Sequence, residues 1–318
     1  MIPVLVAAAK SIRNAAVKPL NPKEPSVISP LVESLIKTKA LQVAPAGQVF
    51  WYTSGTVGPY YINTHYLYGS AAQATALLDF IEAKKEDRQA FPALLAERIH
   101  AQRSANPIYN DVINRLVQYV HGVLKEGFDC VSGGERRDWF FSVAVAMALE
   151  KPHLYIYKDL DIRIFNDGRV ETVSNLAEKK ILHIADLVTE ASSYVKNWLP
   201  ALKRLGGRMS FGLNVVDRAQ GGLGVLAEKG VAGTALLSVD ETLFGELRQA
   251  KLVDEAQVEL LRAYYRDPHG AMCDFLRAHP EFVQRALRQG DHRTVQRARL
   301  LITENPYQMD WAALGVKI

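Results

Sequence analysis

The stretch from residue 128 to residue 239 constrains the fold most. Within it, short apolar runs at 128–132, 153–157, 181–184, 209–216 and 233–239 alternate with helical patterns, the clearest at 139–149 and 194–205. Apolar runs this short suit strands buried on both faces, and helical segments between them suit crossovers joining parallel neighbours. The pattern predicts an α/β fold: a mostly parallel sheet with helices on both faces. Asn166-Asp167-Gly168-Arg169, set between two β-like runs, predicts a hairpin turn. In such sheets ligands bind beyond the carboxyl ends of the strands, so chemistry should be sought on the loops there.

The flanks read differently. Residues 1–9 are apolar and predict a helix packed on the body or a frayed end, and the Pro-rich 18–30 stretch predicts an arm over the surface. Lys10 and Arg13 follow the apolar start, the reverse of a secretory signal. Residues 49–68 are aromatic and β-branched, broken by Ser54-Gly55 and Gly58-Pro59, and predict strands joined by turns. Helical stretches are expected at 71–100 and 107–125, and from Val239 to the end. Asp254 and Gln257 have capping-box spacing, with Val253 and Val258 placed as a staple.

Composition narrows the functional classes. A chain of 318 residues, 48% hydrophobic and 23% charged, is ordinary for one large α/β domain with appendages or two modest domains. A net charge of +4 does not by itself call for nucleic acid. Cys130 and Cys273, without a Cys-x-x-Cys, exclude a disulfide framework and argue against zinc; a reducing cytoplasm fits them. No apolar run approaches the ~20 residues of a membrane helix.

Two segments carry candidate chemistry. The first is Ile181-Leu182-His183-Ile184-Ala185-Asp186-Leu187-Val188-Thr189-Glu190-Ala191-Ser192-Ser193: an apolar strand, an acid near its end, a hydroxyl-bearing loop and a helix start. Loop hydroxyls and helix N-terminal N–H groups form a cup for phosphate, and the acid beside them suits sugar hydroxyls. The second is Ser132-Gly133-Gly134-Glu135-Arg136-Arg137-Asp138-Trp139, at the end of an earlier strand. Glycines permit close backbone approach to a ligand, and paired arginines suit phosphate oxygens. His183, inside a strand, reads as a core residue rather than a catalyst.

Together with Ser54-Gly55-Thr56-Val57-Gly58-Pro59-Tyr60 and Asp217-Arg218-Ala219-Gln220-Gly221-Gly222, in this order along the chain, these segments resemble the type I phosphoribosyltransferases, most of all the orotate phosphoribosyltransferases. The resemblance spans about residues 50–239. It implies an N-terminal arm and hood (1–70), an α/β core (71–240) and a helical C-terminal extension (241–318). It also implies transfer of 5-phosphoribosyl from phosphoribosyl pyrophosphate to orotate or a related base. Asp186 and Lys158 would be catalytic; Asp186, Thr189, Ser192 and Ser193 would hold the phosphoribosyl group. Gly133, Gly134, Arg136 and Arg137 would hold pyrophosphate, and Arg218 and Tyr60 the base. Substrate-bound Mg2+ and a homodimer follow from the same resemblance.

The chain departs from the family at named positions. Ala185 replaces an acid, and Glu190 and Ala191 stand where small residues and glycine are usual. Thr56 replaces a basic hood residue, and Lys158 to Arg169, with Asp159 and Asp161, reads as a hairpin where the family has a basic mobile loop. A second function class is therefore carried: a family member without chemistry that binds a nucleotide, nucleobase or phosphate. A third uses the run Arg285, Arg288, Arg293, Arg297 and Arg299 to meet nucleic acid or an acidic partner, against the plainer reading of a solvated face or dimer contact.

Overall fold

The computed structural model describes residues 28–124 and 127–316. The expected helix at 1–9 and most of the 18–30 arm lie outside the described residues. Ser29 caps the first described helix, α1 (Pro30–Lys37), accepting the Val32 N–H, and proline follows where a missing N–H costs nothing. β1 (Leu41–Val43) pairs antiparallel with β4 (Tyr60–Ile62), and β2 (Phe50–Trp51) with β3 (Val57–Gly58). A 3-10 turn at Thr64–Tyr68 leads to three helices: α2 (Ala71–Lys84), α3 (Phe91–Ala105) and α4 (Pro107–Val123). The single helix expected over 71–100 is thus two. Asp87 Oδ1 takes the Ala90 N–H at 3.1 Å, and Pro92 restarts the helix where it cannot continue one.

The sheet matches the alternation in the sequence. Its strands are β5 (Cys130–Gly134), β6 (His153–Ile156), β7 (Ile162–Asn166), β8 (Arg169–Thr172), β9 (Lys180–Val188), β10 (Arg208–Asp217) and β11 (Ala232–Ser238). They lie in the order β11-β10-β9-β5-β6-β7-β8. The first five in that order are mutually parallel; β7 and β8 add an antiparallel hairpin. Asp167 and Gly168 at its tip have φ of 47° and 78°, the doubly left-handed geometry that lets a two-residue turn follow the strand twist.

Helix α5 (Trp139–Ala148) is buried on every side from 139 to 146, so it is a core helix rather than an amphipathic one. Its Trp139 donates Nε1–H to the Gly133 carbonyl at 2.9 Å. One large apolar cluster joins the hood strands, α2–α5 and one sheet face. A smaller cluster on the other face joins α6 (Leu199–Arg204), preceded by a π turn at Tyr194–Trp198, to α7 (Gly222–Glu228). Helices therefore cover both faces.

Five helices follow: α8 (Glu241–Gln249), α9 (Glu255–Arg266), α10 (Pro268–Ala278), α11 (Pro280–Gln289) and α12 (His292–Glu304). The capping box opens α9 as expected: Asp254 accepts the Gln257 N–H and Gln257 Oε1 accepts the Asp254 N–H, both at 2.8 Å. This extension packs on the hood. Phe282 stacks on Trp51 at 4.9 Å, and Tyr307 Oη accepts from Val57 N–H and donates to Val57 C=O, each at 3.2 Å. Arg297 donates to the Trp51 carbonyl at 2.9 Å, so one member of the C-terminal arginine run is structural; Arg285, Arg288, Arg293 and Arg299 are exposed.

Trp139 is the largest of the fully buried side chains and spans α5 to the end of β5. Replacing it with alanine should cost about 3–5 kcal/mol, the range for large aromatic deletions in cores. The check is the urea midpoint against wild type; a loss below about 1 kcal/mol would show that neighbouring side chains refill the space.

Candidate ligand-binding site

Three loops meet beyond the carboxyl ends of β5, β9 and β10. Parallel pairing between β5 and β9 runs only from Cys130/Ile181 to Ser132/His183, after which the two strand ends separate. Asp138 bridges the gap: its Oδ2 accepts the Gly134 N–H and its Oδ1 the Asp186 N–H, both at 3.0 Å. The expected sugar acid, Asp186, therefore lies beside the loop expected to hold pyrophosphate. Burial pushes both carboxyls above the usual carboxylate range. For Asp186 the neighbouring Asp138 charge adds to the rise, while Arg137 opposes it in both. Two carboxyls this close cannot both ionise cheaply, and the N–H groups that Asp138 accepts favour its charge. The pair therefore holds one proton between its two carboxyls above the usual carboxylate range, and Asp186 keeps part of its surface exposed.

The glycines serve the protein's own packing. A Cβ on Gly133 would lie 2.1 Å from Ser142 Oγ, and one on Gly134 would lie 2.5 Å from the Trp198 ring. The close approach expected from a ligand at these positions is thus made by protein side chains. Arg136 and Arg137 are exposed; Arg136 pairs with Glu82 at 2.9 Å. Glu135, nearly buried, accepts from Lys85 Nζ at 2.6 Å and from the Lys158 N–H at 2.9 Å. Lys158 keeps its ammonium free of carboxylates among the described residues. His183 is buried and neutral: burial lowers its pKa to about 3. Its Nδ1 meets Ser132 Oγ at 2.9 Å, while Nε2, 3.7 Å from Asp138, has no hydrogen-bond partner among the described residues.

The expected phosphate cup is formed by Thr189 to Ser193. Glu190 is exposed and turned to solvent, where its charge is screened. Ala191 is buried with φ of 56°, the left-handed region that explains why glycine suits this position. Helical backbone starts at Ser192, and Ser192 and Ser193 are exposed at that start, where first-turn N–H groups lack intrahelical partners. Between this helix and the Gly134–Asp138 loop lies a cleft of about 350 Å³. Lys85, Arg136, Lys158 and Ser193 line it, with Glu82 and Glu135 among the cations. Tyr157 also lines it; its hydroxyl is buried without a hydrogen-bond partner among the described residues, and Arg88 lies over its ring at 4.5 Å. Lys85, Tyr157 and Trp198 carry no signal in the sequence, because Lys85 ends an unremarkable helix and the other two sit beside motifs rather than in them.

Lys158 to Arg169 is a fixed hairpin. Arg88 pairs with Asp159 at 2.6 Å and with Asp161 at 2.7 Å, and Arg163 Nε also meets Asp161 at 2.7 Å. The hydrogen bond from Arg88 holds Asp159 below the usual carboxylate range; Arg163 and Arg88 do the same for Asp161 against burial. At the far end, Arg218 follows β10. Its Nε donates to Tyr60 Oη at 3.4 Å, and its guanidinium lies 5.1 Å from the Tyr60 ring and 5.9 Å from the Tyr52 ring. Tyr264 of α9 meets Tyr60 edge-on at 5.8 Å. The space left beside Arg218 is about 10 Å³. Arg218 and Tyr60, expected to hold a base, are thus brought together, with Tyr52 and Tyr264 beside them.

No family model matches the chain, and no curated protein matches it. Solved structures do. UMP synthase of Leishmania donovani aligns over 76% of this chain and 42% of its own, at 16% identity and a TM-score of 0.51. The chain therefore spans less than half the length of that protein. Orotate phosphoribosyltransferase of Francisella tularensis aligns over 75% of this chain and 98% of its own, at 15% identity and a TM-score of 0.49. That of Aeropyrum pernix aligns over 70% and 99%, at 17% identity and a TM-score of 0.47. At these identities the likeness is one of fold: with its mostly parallel sheet, its helices on both faces and the match to UMP synthase, the chain has a type I phosphoribosyltransferase-like fold.

Proposed function

We propose that the protein binds a phosphorylated ligand of the phosphoribosyl diphosphate class. The diphosphate end would enter the cleft between the Gly134–Asp138 loop and the helix starting at Ser192. The single observation that carries this is the cleft of about 350 Å³ at the cationic end, against a pocket of about 10 Å³ lined by Arg218, Tyr60 and Tyr264 at the other. Three cations, Lys85, Arg136 and Lys158, face two carboxylates there, Glu82 and Glu135, leaving one positive charge in excess. Lys158 and Arg137, without carboxylate partners among the described residues, are the natural counterions. Thr189, Ser192, Ser193 and the helix N–H groups would take a 5′-phosphate, and Asp186 the ribose hydroxyls. Gly133 and Gly134 shape the loop from behind.

Magnesium belongs to this proposal only as a companion of the diphosphate. Ala185 is buried where a second acid would stand, Asp186 shares its proton with Asp138, and among the described residues no three acids, histidines or cysteines converge on an ion. These residues do not fit a resident ion. The homodimer belongs to the proposal as well; light scattering at the monomer mass would remove it.

A second reading, transfer of phosphoribosyl to an orotate-like base, is favoured by one observation: Arg218 sits at the end of β10, on the same edge of the sheet as Asp186. The tyrosine cage stands against it. Mixing the protein with orotate, magnesium and phosphoribosyl pyrophosphate should leave the ultraviolet spectrum of orotate unchanged. Steady orotidine 5′-phosphate formation would replace our proposal with this second reading.

Binding is read by thermal stabilisation. Pyrophosphate or phosphoribosyl pyrophosphate at 100 times its Kd should add roughly 2.7 kcal/mol and raise the midpoint by several degrees. Lys158→Ala and Arg137→Ala should each weaken binding about tenfold, the scale of a charge-assisted hydrogen bond. Absence of a shift with either ligand would end the proposal.

The carboxyl pair adds a pH signature. A carboxyl held above its usual pKa is neutral at low pH and ionises as pH rises, placing a negative charge beside the anionic ligand. Wild type should therefore lose pyrophosphate affinity relative to Asp186→Asn between about pH 6 and about pH 9, the comparison cancelling the ligand's own titration. A ratio independent of pH would show that Asp186 does not face the ligand.

A further inference from the structure

We infer that Tyr264, supplied by the C-terminal extension, sets what the Arg218 end of the site accepts, and that it excludes a planar carboxylated base. This rests on the expectation that Arg218 holds a base and on the fold placing it on the same sheet edge as the proposed ligand cleft.

The cage is built from two directions. Tyr52 and Tyr60 come from the hood, and Tyr264 comes from α9, far later in the chain. Tyr52 Oη donates to the Tyr60 carbonyl at 2.7 Å, which fixes its ring beside Arg218. Burial holds the Tyr52 and Tyr60 phenols above their usual pKa, against the lowering effect of Arg218, so both remain neutral. Neutral rings satisfy a guanidinium through their faces and one hydroxyl. They leave its charge uncompensated: among the described residues no carboxylate pairs with Arg218. A partly buried cation without a counter-charge is suited to an anion, yet the pocket that Arg218, Tyr60 and Tyr264 line together is about 10 Å³, room for about one water. Ligand pockets are usually several hundred Å³.

Tyr264 is the removable wall. Tyr52 and Tyr60 are tied into the hood hairpins, where a Cβ on Gly58 would lie 2.2 Å from the Tyr52 hydroxyl. Tyr264 projects from a helix anchored elsewhere: Gln257 Nε2 donates to the Ala44 carbonyl at 2.6 Å, and Val258 and Leu261 are buried. Shortening Tyr264 should thus open space beside Arg218 without releasing α9.

The test uses the full chain and calorimetric titration with orotate, with pyrophosphate binding measured on the same proteins. Tyr264→Ala should bind orotate at least about tenfold more tightly than wild type. Tyr264→Phe, which keeps the ring, should match wild type, and Arg218→Met added to Tyr264→Ala should remove the gain. Tyr264→Leu replaces the alanine variant if that one does not fold. Orotate binding by wild type equal to that of the shortened variant overturns the inference, as does a folded shortened variant with no gain. Loss of pyrophosphate binding by wild type refutes the proposed ligand cleft separately.

Discussion

The Asp138 carboxylate ties together the two strand ends beside the proposed ligand site. Parallel strands β5 and β9 stop pairing after Ser132 and His183, and the crevice of the fold opens there. Without a bridge, the N–H groups of Gly134 and Asp186 would be left at the bottom of that crevice. Asp138 accepts both at 3.0 Å, with His183 Nε2 a further 3.7 Å away. Unpaired, a carboxylate this deep would be strongly unfavourable. Two charge-assisted bonds offset much of that, and the proton that the Asp138–Asp186 pair retains avoids two neighbouring charges. The two loops that approach the ligand are thus fastened to one side chain, and α5, whose first residue Trp139 follows it, anchors that side chain in the core.

Much of this is legible in the sequence. The alternation of short apolar runs with helices announces the parallel sheet, and Asn166-Asp167-Gly168-Arg169 announces the hairpin, because such signals are local and the φ values that a turn demands select their residues. The capping box at Asp254 is equally local. What is not legible depends on distant partners. Nothing in the sequence near Asp159 and Asp161 announces that Arg88, far earlier in the chain, neutralises both. The break between α2 and α3 is hidden because Pro92 can sit in a first helical turn as easily as it can interrupt a helix. Gly133 and Gly134 read as room for a ligand; Ser142 and Trp198 fill that room, and only the tertiary packing shows it.

Glu190 and Ala191 show how one motif can mislead when taken position by position. Glu190 reads as a charge aimed at a phosphate, but with Ala191 at φ of 56° the chain reverses locally and sends Glu190 to solvent. The alanine carries a modest backbone strain, on the order of 1 kcal/mol, for holding a conformation that glycine adopts freely. Ser193 at the helix start lines the cleft while Glu190 stays in solvent, so these two departures from the family pattern leave the cup open.

The C-terminal extension shifts the balance between the two ends of the site. It covers the hood through Phe282 on Trp51 and Tyr307 on Val57, and the same packing brings Tyr264 against Tyr60. At the other end nothing of the extension lines the cleft; its walls come from α2, the β5 loop, the segment after β6 and the Tyr194–Trp198 turn. An appendage that stabilises the hood therefore necessarily narrows the Arg218 end while leaving the cationic end open. On the proposed reading a ligand draws its affinity mainly from phosphate contacts, and Tyr264 on α9 limits what the Arg218 end accepts.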